Sequence, residues 1–174
     1  MDFLNRQVHA VPDAAEIEFI PVERAYLKVM RLEWLITMVV IGLAIAALFY
    51  FQPRLQQPLR ITVGISIWVM IALIWYLSTE PQFSSKAYAL REHDITYRSG
   101  WIIKTIRTSP FSRIQHSNIS SGPLERKFGL ASLIIYTAGS GGADTKIPGL
   151  KESVAHDIKD WLNKRVSDEA GTGE

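Results

Sequence analysis

The densest run of reactive residue types lies between Arg113 and Gly142, RIQHSNISSGPLERKFGLASLIIYTAGSGG. It holds one histidine, several serines, two arginines and a glycine-rich loop. His116 has a side chain suited to general acid–base work near neutral pH. The competing reading is a polar residue on a strand or connector, held by a fixed hydrogen bond. His9, His93, His116 and His156 show neither HxxxH nor HxH spacing, so no ready metal site is written in them. Ser140 sits in AGSGG, close to the G-x-S-x-G elbow that presents a nucleophilic serine. That elbow needs a strand before the serine and a helix after it, and ADTKIPGL does not read as a helix. The glycines suit a hairpin loop that needs positive φ. The loop also lacks the G-K-[ST] ending of a phosphate-binding loop. With no cysteine in the chain, thiolate nucleophiles, zinc–thiolate centres and disulfides are excluded. No catalytic, cofactor or metal role is therefore assigned to any residue. Asn118-Ile119-Ser120 matches a glycosylation sequon, which has meaning only on the outer side of a membrane.

A second constellation is basic: Arg113, Arg126 and Lys127, with Lys104 and Arg107. Such a set could receive an anionic headgroup or an acidic peptide, or simply be a solvated surface. Arg113 and Arg126 have a third possible role as internal braces, because one guanidinium can satisfy several backbone carbonyls at once. On that reading Arg126→Ala would unfold the domain. The net charge of +2 argues against a strongly basic nucleic-acid binder.

The elements that position these residues begin with a membrane anchor. Leu35–Phe51 and Ile61–Leu77 are free of charge, and each spans roughly 26 Å as a helix, near the bilayer's hydrocarbon thickness. Neither shows the polar stripe of a soluble core helix. Trp34, Tyr50, Phe51, Trp75 and Tyr76 fall at segment ends, as interfacial aromatics do. The first segment starts late for a signal peptide and lacks a small-residue exit. The expectation is a helical hairpin over 34–80 with a proline-bearing connector, Gln52–Arg60. Arg24, Lys28, Arg31, Lys86 and Arg91 outside the hairpin, against Arg54 and Arg60 in the connector, place both termini in the cytoplasm. That puts the sequon on the inner side. No ionisable residue lies at mid-membrane in the spans, so they read as an anchor rather than a transport path. Gly42 and Ala46 form a small-xxx-small pair that would let a helix approach closely.

Residues 1–33 form an N-terminal arm; Val22, Tyr26 and Met30 within it, and Trp34 just after it, recur at helical spacing and predict a juxtamembrane helix, or a longer first helix with a wet end. From Pro81 the pattern changes to short alternating runs rich in Val, Ile, Thr and Tyr, with turn residues about every ten positions, the pattern of a small antiparallel β domain. REHDITYRSG predicts two strands around a turn at Glu92–Asp94, and PLERKF a short helical turn before the strand LASLIIYT. Ser153–Val166 returns to helical period, with Val154, Ile158, Trp161, Leu162 and Val166 on one face and Ser153 as N-cap. The domain is expected over 81–166, with a disordered tail at 167–174.

Strands followed by one closing amphipathic helix are similar to the pleckstrin-homology-like architecture. More specifically, the chain resembles the bacterial pleckstrin-homology-like membrane proteins of the YdbS type, from about Leu32 to Val166. The residues that carry the resemblance are Arg113, Gln115 and His116, then Gly122 and Pro123, Arg126, Gly129 and Thr137, with a tryptophan like Trp101 at a strand start and the IPGL…DWL ending. The resemblance implies an α+β fold: a transmembrane hairpin, then an antiparallel β-barrel or sandwich of about seven strands closed by the C-terminal helix. It implies no established catalytic activity and no cofactor. It also implies self-association or a hetero-complex with a larger relative carrying several such domains. The first expectation is thus a membrane-anchored, non-enzymatic interaction module at the inner membrane. The alternative is sensing of anionic lipid headgroups, although the first strand turn, EHD, is acidic where lipid-binding pleckstrin domains are basic. A membrane hydrolase using His116 or Ser140 is the third reading.

Overall fold

The computed structural model describes residues 17–52, 57–138 and 145–171, the last with side chains to Arg165. Two long helices come first, α1 (Ala25–Phe51) and α2 (Pro58–Ser84). Their outward faces carry large apolar side chains in the open, with Val40 60%, Leu43 67% and Ile74 58% exposed. A water-soluble protein does not carry such a band uncovered; lipid is its natural solvent. Several hydroxyls on these helices bond to their own backbone. Thr37, Thr62 and Ser78 each donate to the carbonyl four residues earlier, at 2.8, 2.9 and 2.8 Å. That satisfies a donor that hydrocarbon cannot. Gly42 is where α2 comes closest, since a Cβ there would lie 3.2 Å from the Trp68 ring. The small residue thus serves packing inside the hairpin.

Both helices run past their apolar segments towards the domain. The juxtamembrane helix and the first span are one continuous helix. Likewise α2 does not stop at residue 80; Pro81 lies inside its last turns, where the missing N–H deprives only one carbonyl of its helical donor. Arg31 and Glu80 join the two extensions at 2.7 Å, and the rings of Trp34 and Tyr76 meet at 5.1 Å.

The strands are β1 (Ile20–Pro21), β2 (Ala87–Leu90), β3 (Asp94–Ser99), β4 (Thr105–Pro110), β5 (Ile114–Ser120), β6 (Leu130–Thr137) and β7 (Thr145–Lys151). They form two antiparallel sheets, ordered β1-β2-β3-β4 and β5-β6-β7. β1 comes from the arm that precedes the anchor, so the sheet begins before the membrane hairpin and resumes after it. Pro21 pairs with Ala87, Val22 is buried, and the Glu23 N–H donates to Gly149 O at 2.9 Å. The expected turn after β2 is present, clamped by Arg91 on Asp94 through two hydrogen bonds of 2.8 and 2.7 Å. Trp101 does not start a strand. Gly100 takes φ +96°, a Cβ there would collide with the carbonyl of Ile103, and the loop closes on the Ser99–Thr105 pair. Trp101–Ile103 therefore form the hairpin tip.

Between the sheets lies one apolar core. Ile95 and Tyr97 from β3, Leu133 and Ile135 from β6, and Ile147 and Leu150 from β7 all belong to it. The helix α4 (Glu152–Gly171) adds Ala155, Ile158 and Leu162 to the same cluster. Trp161 meets Phe111 edge-on at 5.3 Å, closing the end of the core, as its helical stripe predicts. The helix starts one residue before the expected cap: β7 runs directly into it, Glu152 N–H bonds to Gly129 O at 3.1 Å, and Ser153 lies inside the first turn. It also continues past Val166 to Gly171, because SDEAG holds no proline and no β-branched residue to stop it. Residues 172–174 of the expected tail lie outside the described residues.

Candidate functional site

The signature segment is built as a connector, a turn and a core strand. Arg113 ends a 3-10 turn, Phe111–Arg113, and its carbonyl accepts from Ala138 N–H at 2.8 Å. Gln115 occupies a bulge between the Ile114 and His116 pairings. His116 lies on the outer face of β5, exposed, with its ring stacked on Tyr136 at 4.3 Å and 18°. Gly122 and Pro123 open the short helix α3 (Pro123–Lys127), with proline at a position that needs no N–H. Gly129 adopts φ +64°, and Thr137 ends β6 buried. Ser140 lies outside the described residues, but its loop joins β6 to β7, so the element after it is a strand and not the helix that a nucleophile elbow requires.

Sequence reasoning missed the carboxylate at the centre of this segment. Glu125 is 9% exposed; Ser132 Oγ donates to its Oε1 at 2.8 Å and Gly122 N–H donates to its Oε2 at 3.0 Å. It ties α3 to β6 from inside. The Gly-x-x-Glu spacing at the start of α3 is the signal that could have found it, since a carboxylate three residues into a helix reaches back to the cap N–H. The neighbouring Arg126 is exposed, and its backbone makes the turn bonds to Gly122 and Gly129. Bracing from within is thus the work of Glu125, with the arginines outside.

The basic residues fall on separate elements. Arg126 and Lys127 are on α3, and Arg113 is on the 3-10 turn. Lys104 and Arg107 are on the β3–β4 hairpin. Lys104 joins Arg98, Ser84, Ser85 and Gly100 around a cleft of about 210 Å³ beside the end of α2. A polar cleft of about 260 Å³ opens nearby at the root of the helices, lined by Tyr26, Glu33, Thr79, Gln82 and Lys86 among others. Burial there lowers the Lys86 pKa, because a half-buried ammonium loses hydration.

The most open part of the domain is β4. It ends its sheet, pairing with β3 alone among the described strands. Thr105–Thr108 are exposed on both faces, and Ile106 is 58% exposed. The other edges are less available. β7 carries Pro148 and is crossed by α1, β5 is overlain by α4, and β1 is two residues long. The outer edge of such a strand, exposed on both faces, offers a row of N–H and C=O groups to another chain.

The family model described as Bacterial PH domain matches residues 25–166. The chain belongs to the bacterial PH domain family. The match begins in α1 and ends in α4, so this bacterial PH domain includes its membrane helices. The chain is also 29% identical over 147 residues to the UPF0699 transmembrane protein YdbS of Bacillus subtilis (strain 168), covering 82% of this chain and 91% of that protein. No solved structure matches. With the two apolar helices, these likenesses make the chain a membrane protein carrying a PH-like domain, as the resemblance in its sequence implies.

Proposed function

We propose that the protein is a non-enzymatic membrane adaptor whose PH-like domain associates with another polypeptide, a second copy or a larger relative, by strand addition along β4. The open edge of β4 carries this reading. The anchor raises the local concentration of partners by confining them to one surface. The excess of cations at the domain end of the hairpin supports placing the domain and both termini in the cytoplasm. Crosslinking in native membranes through Thr108→Cys, in a chain otherwise free of cysteine, tests the association. A crosslinked species is expected; monomer alone in native membranes and in mild detergents would sink the proposal.

A second reading, a site for anionic headgroups, is supported by Lys104 and Arg98 around the cleft beside α2. Flotation of the full chain cannot test it, because the anchor binds any bilayer. Headgroup-dependent protection of a label at Ser84→Cys, which borders the same cleft and leaves both cations in place, can, and indifference to anionic lipid content removes it.

A further inference from the structure

Among the described residues of the domain, the tip of the β3–β4 hairpin is the most exposed apolar point. Trp101, Ile102 and Ile103 are 49%, 84% and 78% exposed, three consecutive large apolar side chains. A tight turn requiring Gly100 holds them out.

Strand register shows where that tip points. β2 leaves the end of α2 and leads away from the anchor; β3 returns antiparallel, with Arg98 opposite Ala87. The chain beyond Arg98 therefore returns to the end of α2, where Gly100 and Lys104 border one cleft with Ser84 and Ser85. Four residues from Arg98 to Ile102 reach at most about 13 Å at ~3.3 Å per residue. The stretch of α2 between the end of its charge-free apolar run, Leu77, and its own end at Ser84 is roughly 10 Å long. That reach is enough to bring the tip level with the last turns of α2, and the lining of one cleft agrees: Gly100, Trp101 and Ile102 border it together with Gln82 and Lys86. Gln82 lies about 7–8 Å past Leu77 along the helix axis, which places it at the outer edge of the headgroup layer of a bilayer about 40–45 Å thick overall with a ~30 Å core.

We propose that Trp101, Ile102 and Ile103 insert into the bilayer beside α2, making the hairpin tip a third membrane contact that fixes the tilt of the domain. The occupant is lipid. The tip shares a cleft with the end of the membrane helix α2, and tryptophan is a residue that favours the interfacial zone. Arg98 and Lys104 flank the tip where anionic headgroups would lie, an apolar point with a cationic collar. Tip insertion rests on the membrane location of the helices and is independent of strand addition at β4.

The absence of cysteine makes the test direct. The full chain carrying Ile102→Cys, labelled with an environment-sensitive nitrobenzoxadiazole fluorophore, is reconstituted into phosphatidylcholine–phosphatidylglycerol vesicles with or without brominated acyl chains. Glu92→Cys, on the turn at the opposite end of β3, is the control. A blue shift and loss of emission in brominated vesicles at position 102, with neither at 92, is the expected result. Red-shifted, unquenched emission at 102 would overturn the proposal in favour of a solvated loop. A blue shift that bromine does not quench would overturn it in favour of a protein cover at this tip. Ile103→Cys repeats the measurement at a second exposed position. Vesicles of phosphatidylcholine alone separate the two contributions: retained quenching assigns insertion to the apolar tip itself, whereas its loss overturns apolar insertion in favour of attraction by the cationic collar.

Discussion

Gly149 and Tyr26 lie in direct contact, the glycine on β7 and the aromatic ring in the first turn of α1. A Cβ on Gly149 would fall 2.5 Å from Tyr26 Cγ, and Gly149 itself holds φ +70°. The domain is thereby seated on the helix that enters the membrane, and the Glu23 N–H bond to Gly149 O closes the same joint.

Gly149→Ala should accordingly loosen this seat. Backbone strain and overpacking act in the same direction, and a destabilisation of about 1–3 kcal/mol is expected. Thermal unfolding in detergent measures it. Gly129→Ala is the informative comparison, since φ is similar but no atom lies within 4 Å of the added carbon, so its cost should be smaller.

Glu125 and Arg126 should behave oppositely to their charge density in the sequence. Glu125→Ala strands the buried Ser132 hydroxyl and the Gly122 N–H, at about 1–3 kcal/mol. Arg126→Ala removes an exposed side chain and should stay within about 0.5 kcal/mol. Equal losses in a denaturant titration would contradict this division of work.

Stability should fall at high pH through Tyr97. Burial pushes its phenol from 10.0 up to about 12, only partly offset by Ser99 and Arg107. Above pH 10.0 the unfolded chain releases a proton that the folded chain keeps, so the contribution is complete below that pH and is lost as pH rises towards about 12. Two pH units correspond to at most about 2.7 kcal/mol. Tyr97→Phe should flatten that part of the pH–stability curve; an unchanged slope would count against it. Tyr88 is raised by burial and by Glu23 and adds in the same direction.

Association through β4 should be sensitive to Ile106. An aspartate there introduces charge on the open edge and should weaken association by about tenfold or more, with folding unchanged. Sedimentation of the detergent-solubilised protein, matched to its thermal melt, separates the two effects.

Much of this architecture was legible from one dimension. Two charge-free runs announce the anchor because hydrocarbon tolerates nothing else over that length. The stripe of Val154, Ile158, Trp161 and Leu162 announces the closing helix because a helix buries one face. GPLERKF reads as a turn because proline and glycine restrict and free φ at known positions. The family likeness came from the order of such pieces.

Other properties came from tertiary structure alone. β1 is two residues of an arm with no strand period, and it is a strand only because β2 lies alongside. Trp101-Ile102-Ile103 has the composition of a strand, yet the register of β3 on β2 and the collision at Gly100 make it an exposed tip beside the membrane helix. Arg126 and Glu125 are adjacent in the chain, and only the packing of α3 on β6 decides that the carboxylate goes inside. His116 has the chemistry of a base in any sequence; its neighbour across the sheet, Tyr136, makes it half of a ring stack. In each case residue type and spacing set what was possible, and a partner distant in sequence selected among the possibilities, because burial and pairing depend on what lies opposite in space.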